Sequence, residues 1–457
     1  MGVAANRLRD TWRTLMGEVS AEPPDEEAGD SVSPRALDLV LRVGELLLAS
    51  GEATERVNES MLSLAVAYEL PRADVAVSFT VITVNVHPGN GALPVTGGRA
   101  IRRRFPAYWR LVALHSLVLE ASLGVLDVEE AHRRLAEIKR MPPPYPPWLI
   151  VVCFGLIAAS ASVMVGGGPL VAGTAFVATV LGDRTAAALA RRGVAEFFQL
   201  TVAAAIGAAS ASLVLAVGAP AHASAIVTGA ILALLPGRPL VASIQDGITG
   251  DLISAGARLL EVFFIVAAIV SGLGMVVYLA VRLGIQVDVG DLPSAPVALL
   301  PVTVIAAAAV SLTFAVSLAV PRRVLPAASL GGALIWVVYV LARGAGVTPV
   351  LASAVGAILV GLLGNLLARR RQEPALPYIV PSIAPLLPGT ALYRGMIELN
   401  LGLPQDGVLS LIGGMSIALA LGAGVNLGGE FVRAFQRVGL GVSGRGARPA
   451  ARRTRGY

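Results

Sequence analysis

One cysteine, one lysine and four histidines in 457 residues leave little material for metal or redox chemistry. With Cys153 as the only thiol, a disulfide framework within the chain and a cysteine zinc site are both excluded. His87, His115, His132 and His222 have no metal-ligand spacing, so no metal site is expected. No cofactor is expected either. Gly166-Gly167-Gly168 has no strand before it and no Lys-Ser/Thr after it, so it is a loop rather than a phosphate cradle. The first thirty residues lack the apolar run that a cleavable signal needs.

Charge is scarce as well. Charged residues make up 14% of the chain against about 25% in a soluble domain. Hydrophobic residues reach 55% and the mean hydropathy is +0.73, which is the composition of a polytopic membrane protein. The net charge of +6 is read through its placement. Arg102, Arg103, Arg104, Arg133, Arg134, Lys139 and Arg140 precede the first long apolar stretch, and Arg445, Arg448, Arg452, Arg453 and Arg455 follow the last. Positive flanks of this kind orient a chain in a lipid bilayer and place both termini in the cytoplasm. Nucleic acid is not an expected partner.

The polar and apolar parts separate along the chain. Residues 1–32 are a leader too acidic and Pro-rich to build a core. Residues 33–140 read as a small soluble α/β domain. Leu37, Val40, Leu41, Leu47 and Leu48 recur at helical spacing with Gly51 as a C-cap, and a second helix covers about 53–69. Val75 to His87 reads as one strand, with a turn at 88–91 into a second strand near 92–103. A helix over 107–122 follows, and Asp127 with Glu130 caps another that ends near Lys139. Residues 141–147 form a Pro-rich linker ending at Trp148, an interfacial anchor.

A helical span needs about 20 apolar residues. Ten are expected, at about 148–166, 169–188, 196–217, 222–243, 252–282, 296–319, 323–342, 348–368, 375–396 and 406–434. Arginines follow spans 2, 6 and 8, as cytoplasmic loops require, and Arg343 is the exception. A basic tail occupies 438–457.

Leu234-Leu235-Pro236-Gly237 returns 152 residues later as Leu386-Leu387-Pro388-Gly389, each followed ten residues on by an acid, Asp246 and Glu398. Leu189-Ala190-Arg191 and Pro169 recur at the same offset as Leu341-Ala342-Arg343 and Pro321. Two five-span repeats are expected, 148–283 and 295–437. An odd number of spans inserts the second copy the other way up. Paired broken helices in inverted repeats mark a transporter's binding site, because their freed backbone groups are tolerated where they line a cavity.

Several residues could form that site. Asp246, Asp251, Arg258 and Glu261 follow the first break; Arg258 and Glu261 lie three apart and can pair. Aligning Asp251 with Asp406 sets Gly413 opposite Arg258 and Ser416 opposite Glu261, which makes the charge one-sided. Arg394, Glu398, Asn400 and Asn426 add polar groups from the second half, and Asn365 one from span 8. Glu430 and Arg433 read as snorkelling residues. Gly413-Gly414 and Gly422/Gly424 read as close-packing faces. Ser78, Thr80 and Thr83 have no base motif beside them, so a hydrolytic domain is not expected and the protein is not read as an enzyme.

Gly44 to Thr54 (GELLLASGEAT), with Met61 to Leu70 and the Ser78–Thr83 stretch, resembles the N-terminal domain of the threonine/serine exporter family. Leu234 to Glu261 resembles that family's characteristic membrane segment, and Pro381 to Gly389 lies in a match to its C-terminal five-span unit. The resemblance covers about 33–435. It implies a bacterial inner-membrane exporter of a small amino acid such as threonine or serine, driven by proton antiport. It points to Asp246, Arg258 and Glu261, and then to Pro388 and Glu398. The alternatives are a gated channel, an exporter of another small metabolite, or a membrane protein whose soluble domain processes a peptide. Association into a homo-oligomer stays open.

Overall fold

The protein was examined as a computed structural model that describes residues 32–88, 93–101, 107–217, 223–235, 237–284, 300–400 and 402–439. Pro236, the Gly89–Gly91 part of the turn at 88–91, the leader up to residue 31 and the basic tail from residue 440 fall outside these residues. So do the side chains of Asn400 and His222.

The N-terminal part is a layer of helices on a three-stranded antiparallel sheet. Its elements are α1 (Pro34–Ala49), α2 (Thr54–Ala67), β1 (Ala73–Val77), β2 (Val81–Val86), β3 (Val95–Ala100), α3 (Tyr108–Ser122) and α4 (Val128–Arg140). Helix α1 starts at Pro34 with Ser33 accepting from the Ala36 N–H, and it buries the Leu37/Val40/Leu41/Leu47/Leu48 face. Gly51 follows it with φ +97, a conformation that only glycine adopts without strain. Asp127 caps α4 by accepting from the Glu130 N–H at 2.7 Å.

The single strand expected over 75–87 is two strands. The chain reverses at Ser78–Thr80, where the Ser78 N–H donates to the Val81 carbonyl at 2.9 Å, and β1 pairs with β2 from Ala73↔Val86 to Val77↔Ile82. A β-branched run satisfies the period-2 pattern on either side of a tight reversal, so apolarity alone does not reveal the turn. Ser78 and Thr80 therefore sit at a hairpin tip, while Thr83 remains in β2.

The apolar part is helical: α5 (Pro147–Met164), α6 (Pro169–Arg191), α7 (Glu196–Ala216), α8 (Ala223–Leu234), α9 (Gly237–Thr249), α10 (Leu252–Arg282), α11 (Pro301–Ser317), α12 (Leu325–Gly344), α13 (Pro349–Arg370), α14 (Leu376–Ile383), α15 (Gly389–Asn400) and α16 (Pro404–Gly439). Among the described residues six helices are long and apolar enough to cross a membrane, or seven when the bent pair at α8/α9 counts as one span. That pair bends by 54° at the Leu-Leu-Pro-Gly break. The long helices are apolar on their outer faces too, with Phe263 and Phe264 of α10 more than half exposed, as a lipid-facing surface requires.

The element order recurs. Three helices, a helix broken by Leu-Leu-Pro-Gly and one long helix run from α5 to α10 and again from α11 to α16. At each break the glycine N–H donates to a leucine carbonyl, Gly237 to Leu235 and Gly389 to Leu387. The two breaks meet in space. A Cβ on Gly237 would lie 2.7 Å from the Leu387 side chain, and one on Gly389 would lie 3.5 Å from both Leu232 and Leu235. Helix α9 packs on α16, and α15 on α10, so each half lays its short segment on the other's long helix.

Candidate functional site

The chain after each break turns in the same way. The Asp251 N–H donates to the Asp246 carbonyl and the Leu403 N–H to the Glu398 carbonyl, both at 2.9 Å, and Gly250 and Gly402 carry φ +92 and +79. The offset of 152 therefore continues through the turn, and the expected pairing of Asp251 with Asp406 is out of register. Leu403 occupies Asp251's place, and Ser410, rather than Gly413, stands opposite Arg258. An acidic side chain early in each helix misleads the alignment, whereas the turn hydrogen bonds fix it.

Asp246 and Arg258 form the most buried ion pair described. Arg258 Nε donates to Asp246 Oδ2 at 2.7 Å, with Asp246 fully buried and Arg258 nearly so. The spacing of twelve residues brings α9 and α10 together as a hairpin, which positions both groups. Arg258 is thus paired with Asp246 twelve residues back, a contact that the i,i+3 reading with Glu261 did not anticipate. Glu261 lies three residues further on, half-buried. Asp251 serves as the N-cap of α10, accepting from the Ser254 N–H at 3.1 Å.

The second carboxylate oxygen of Asp246 is held by the N-terminal domain. Thr54 donates to Asp246 Oδ1 from both its hydroxyl, at 3.0 Å, and its backbone N–H, at 3.3 Å. Thr54 is the first residue of α2, whose own N-cap position, Ala53, offers no side-chain acceptor. A helix start leaves N–H groups without partners, and a carboxylate satisfies them while complementing the helix dipole. Asp246 thus caps a helix 192 residues away. The Glu52 carbonyl accepts from Arg258 at 3.5 Å, and the Phe79 ring lies 5.5 Å from the guanidinium. The Glu52 carboxyl is buried and pushed above its ordinary range by that burial, with Arg56 pulling in the opposite direction.

In the second half Glu398 is nearly buried and accepts from Arg394 Nε at 2.8 Å and from the Ser410 hydroxyl at 2.6 Å. Ser410 is twelve residues on, as Arg258 is from Asp246. A hydroxyl thus replaces a guanidinium at the matching place, and the cation comes from one turn back on α15 with its side chain mostly exposed. Pro388 lies at the α15/α16 contact, near Gly414.

A small cleft lies beside this cluster, lined by Arg56, Gln245, Asn365, Asn426, Val380 and Arg433 among others. Helices α13 and α16, which both contribute to its lining, approach closely because Gly361, Gly424 and Gly428 face backbone of the opposite helix; an added Cβ would lie 2.3–2.7 Å from it. Gly422 and Gly414 are packed as expected, whereas Gly413 faces open space. Arg433, read as snorkelling, lines the cleft and pairs with Glu430 at 3.1 Å.

The structure thus groups Asp246 with Arg258, Glu398 with Arg394, and Asn365 with the cleft. Sequence reasoning missed Thr54, Glu52, Phe79, Arg56 and Gln245. Three of these lie in or beside the Gly44–Thr54 stretch that carries the family resemblance, so that stretch was the available signal. Among the described residues no group of three or more His, Cys, Asp or Glu could hold a metal.

Long apolar helices, two broken helices that meet and buried charge beside them define a multi-pass helical membrane protein. The profile described as "Putative threonine/serine exporter" matches residues 38–280, and "Threonine/Serine exporter, ThrE" matches 303–429. A "Probable threonine/serine exporter" of Mycobacterium tuberculosis is 33% identical over 418 residues, 90% of this chain and 78% of that protein. The "Threonine/serine exporter" of Corynebacterium glutamicum is 28% identical over 444 residues, 94% and 90% of the two chains. No solved structure matches. The chain belongs to the threonine/serine exporter family, whose members are bacterial membrane transporters and not enzymes.

Proposed function

We propose that this protein exports threonine, serine or a similar small amino acid from the bacterial cytoplasm by proton antiport, using two inverted five-span repeats. The observation that carries the reading is the meeting of the two Leu-Leu-Pro-Gly breaks, each followed ten residues on by a buried acid. Ten spans are reached when α6 and α11 and both broken helices are counted as crossings. The N-terminal α/β unit is then cytoplasmic, as are both termini, because it rests on the same end of the bundle as Arg369, Arg370 and Arg433. Asp246 is the acid best placed to carry the proton. Protonation would cancel its attraction for Arg258 and weaken its hold on Thr54, so the ion pair and the domain contact would loosen together. Glu261 is the second candidate for coupling, and Glu398 with Arg394 the matching gate of the other half.

The test is accumulation of labelled threonine in inside-out vesicles under an imposed pH gradient. Accumulation that collapses with the gradient supports antiport; flux that only ever runs downhill favours the channel. Wild-type coupling in Glu261→Gln alongside lost coupling in Asp246→Asn would assign the proton to Asp246.

A further inference from the structure

The cleft beside the ion pair has a charge pattern that Asp246 and Arg258 do not explain. Its lining includes two guanidinium groups, Arg56 and Arg433, and three carboxamides, Gln245, Asn365 and Asn426. Arg433 is matched by Glu430. Arg258 is matched by Asp246 and does not line the cleft. Arg56 makes no salt bridge among the described residues, although Glu52 and Glu55 stand close enough to feel its charge. It is half-buried and lines the cleft with Arg433, and both lie near Glu55 as well as near Arg369. A guanidinium without a salt bridge in a partly desolvated cleft suits an anionic group.

The carboxamides suit the opposite charge. Asn365 donates from Nδ2 to the Gly361 carbonyl at 2.8 Å, and Asn426 from Nδ2 to the Gly422 carbonyl at 2.9 Å. Each amide is thereby fixed on its own helix, with the Oδ1 side left as the acceptor. The carboxamides line the cleft without a formal charge, which suits an ammonium that must later leave. A cation and neutral acceptors in one lining complement a zwitterion.

We propose that this cleft is the cytoplasm-facing binding site for the exported α-amino acid, with Arg56 of the N-terminal domain binding the substrate carboxylate and Asn365, Asn426 and Gln245 receiving the ammonium. The proposal rests on the export reading above and adds that the N-terminal domain is part of the site. The site is incomplete without it, because no other cation of the cleft is free of a carboxylate partner among the described residues.

The test is threonine transport by the full-length chain in inside-out vesicles, with L-threoninol, which lacks the carboxylate, as competitor. Arg56→Gln is expected to raise KM for threonine roughly tenfold or more, the loss of one charge-assisted contact, and to erase the preference for threonine over threoninol. Arg56→Lys keeps the charge and recovers part of the affinity. Asn426→Leu raises KM without changing the threoninol preference, and serves if Arg56→Gln does not fold. A wild-type KM and an unchanged threoninol preference in Arg56→Gln overturn the site while leaving export standing. A wild-type chain that moves no amino acid overturns the export reading and the site with it.

Discussion

Asp246 and Glu398 occupy matching places in two matching halves, yet they are held differently. Asp246 is sealed between a buried arginine from its own hairpin and the first residue of a helix in another part of the molecule. Glu398 is held by a serine and by an arginine whose side chain is largely exposed. Breaking the first arrangement strands a charge in a buried place, whereas breaking the second leaves groups that solvent can reach. The lesson is that the two halves share the backbone turn and the acid, while the partner twelve residues on differs. One half couples to the N-terminal domain; the other is its self-contained counterpart.

The sharpest way to break this contrast is to make the first half like the second. Arg258→Ser copies Ser410 into the first hairpin and leaves Asp246 without its cation. The expected cost is about 3–5 kcal/mol, with export lost, read by thermal unfolding in detergent and by vesicle transport. An unchanged melting temperature would mean that the halves are energetically equivalent. Glu398→Ala removes two acceptor contacts at a site with an exposed partner and should cost about 1–3 kcal/mol by the same measurement. A larger loss than for Arg258→Ser would reverse the ranking of the halves.

Thr54→Val removes the hydroxyl but keeps the backbone N–H on Asp246. Its cost should be about 1 kcal/mol, seen as faster amide exchange in the first turn of α2 with the sheet unaffected. The smallest effect is expected at Glu52. Its folded-state carboxyl is pushed up, first by burial, so its contribution to stability is present at low pH. That contribution is lost as pH rises from the ordinary carboxylate range through the raised value. Glu52→Gln stays neutral at every pH, so the variant should gain stability over wild type above that window and lose the advantage at pH 4. Parallel melting curves for the two proteins across the range would show that Glu52 ionises in the fold as readily as in the unfolded chain.

Much of this arrangement was legible in the sequence. The repeat, the two breaks, the ten-residue spacing to an acid and the α1 core face all follow from local patterns that period and composition reveal. The cap at Asp127 was equally visible, because its partner lies three residues on. What could not be read was contact across distance. Nothing in the neighbourhood of Arg258 says that Asp246 is its partner; the contact is made when α9 folds back on α10. Arg56 reads as one more surface arginine until the fold sets it beside Asn365 and Asn426. The strand over 75–87 failed for the opposite reason, since a tight reversal leaves little trace in hydrophobicity.

The cap that Asp246 places on α2 has a bearing on how the molecule is made. Thr54 leaves the ribosome 192 residues ahead of the carboxylate that completes its helix. At usual synthesis rates that is a wait of roughly 10–40 s. During that interval the N-terminal domain has a frayed helix start and an uncovered face. Only after the first broken helix is inserted and folded onto α10 can the face be closed. A copy in which α9 fails to fold back on α10 would keep that end of α2 open. The contact therefore records, in the N-terminal unit, whether a hairpin nearly two hundred residues further on was assembled correctly.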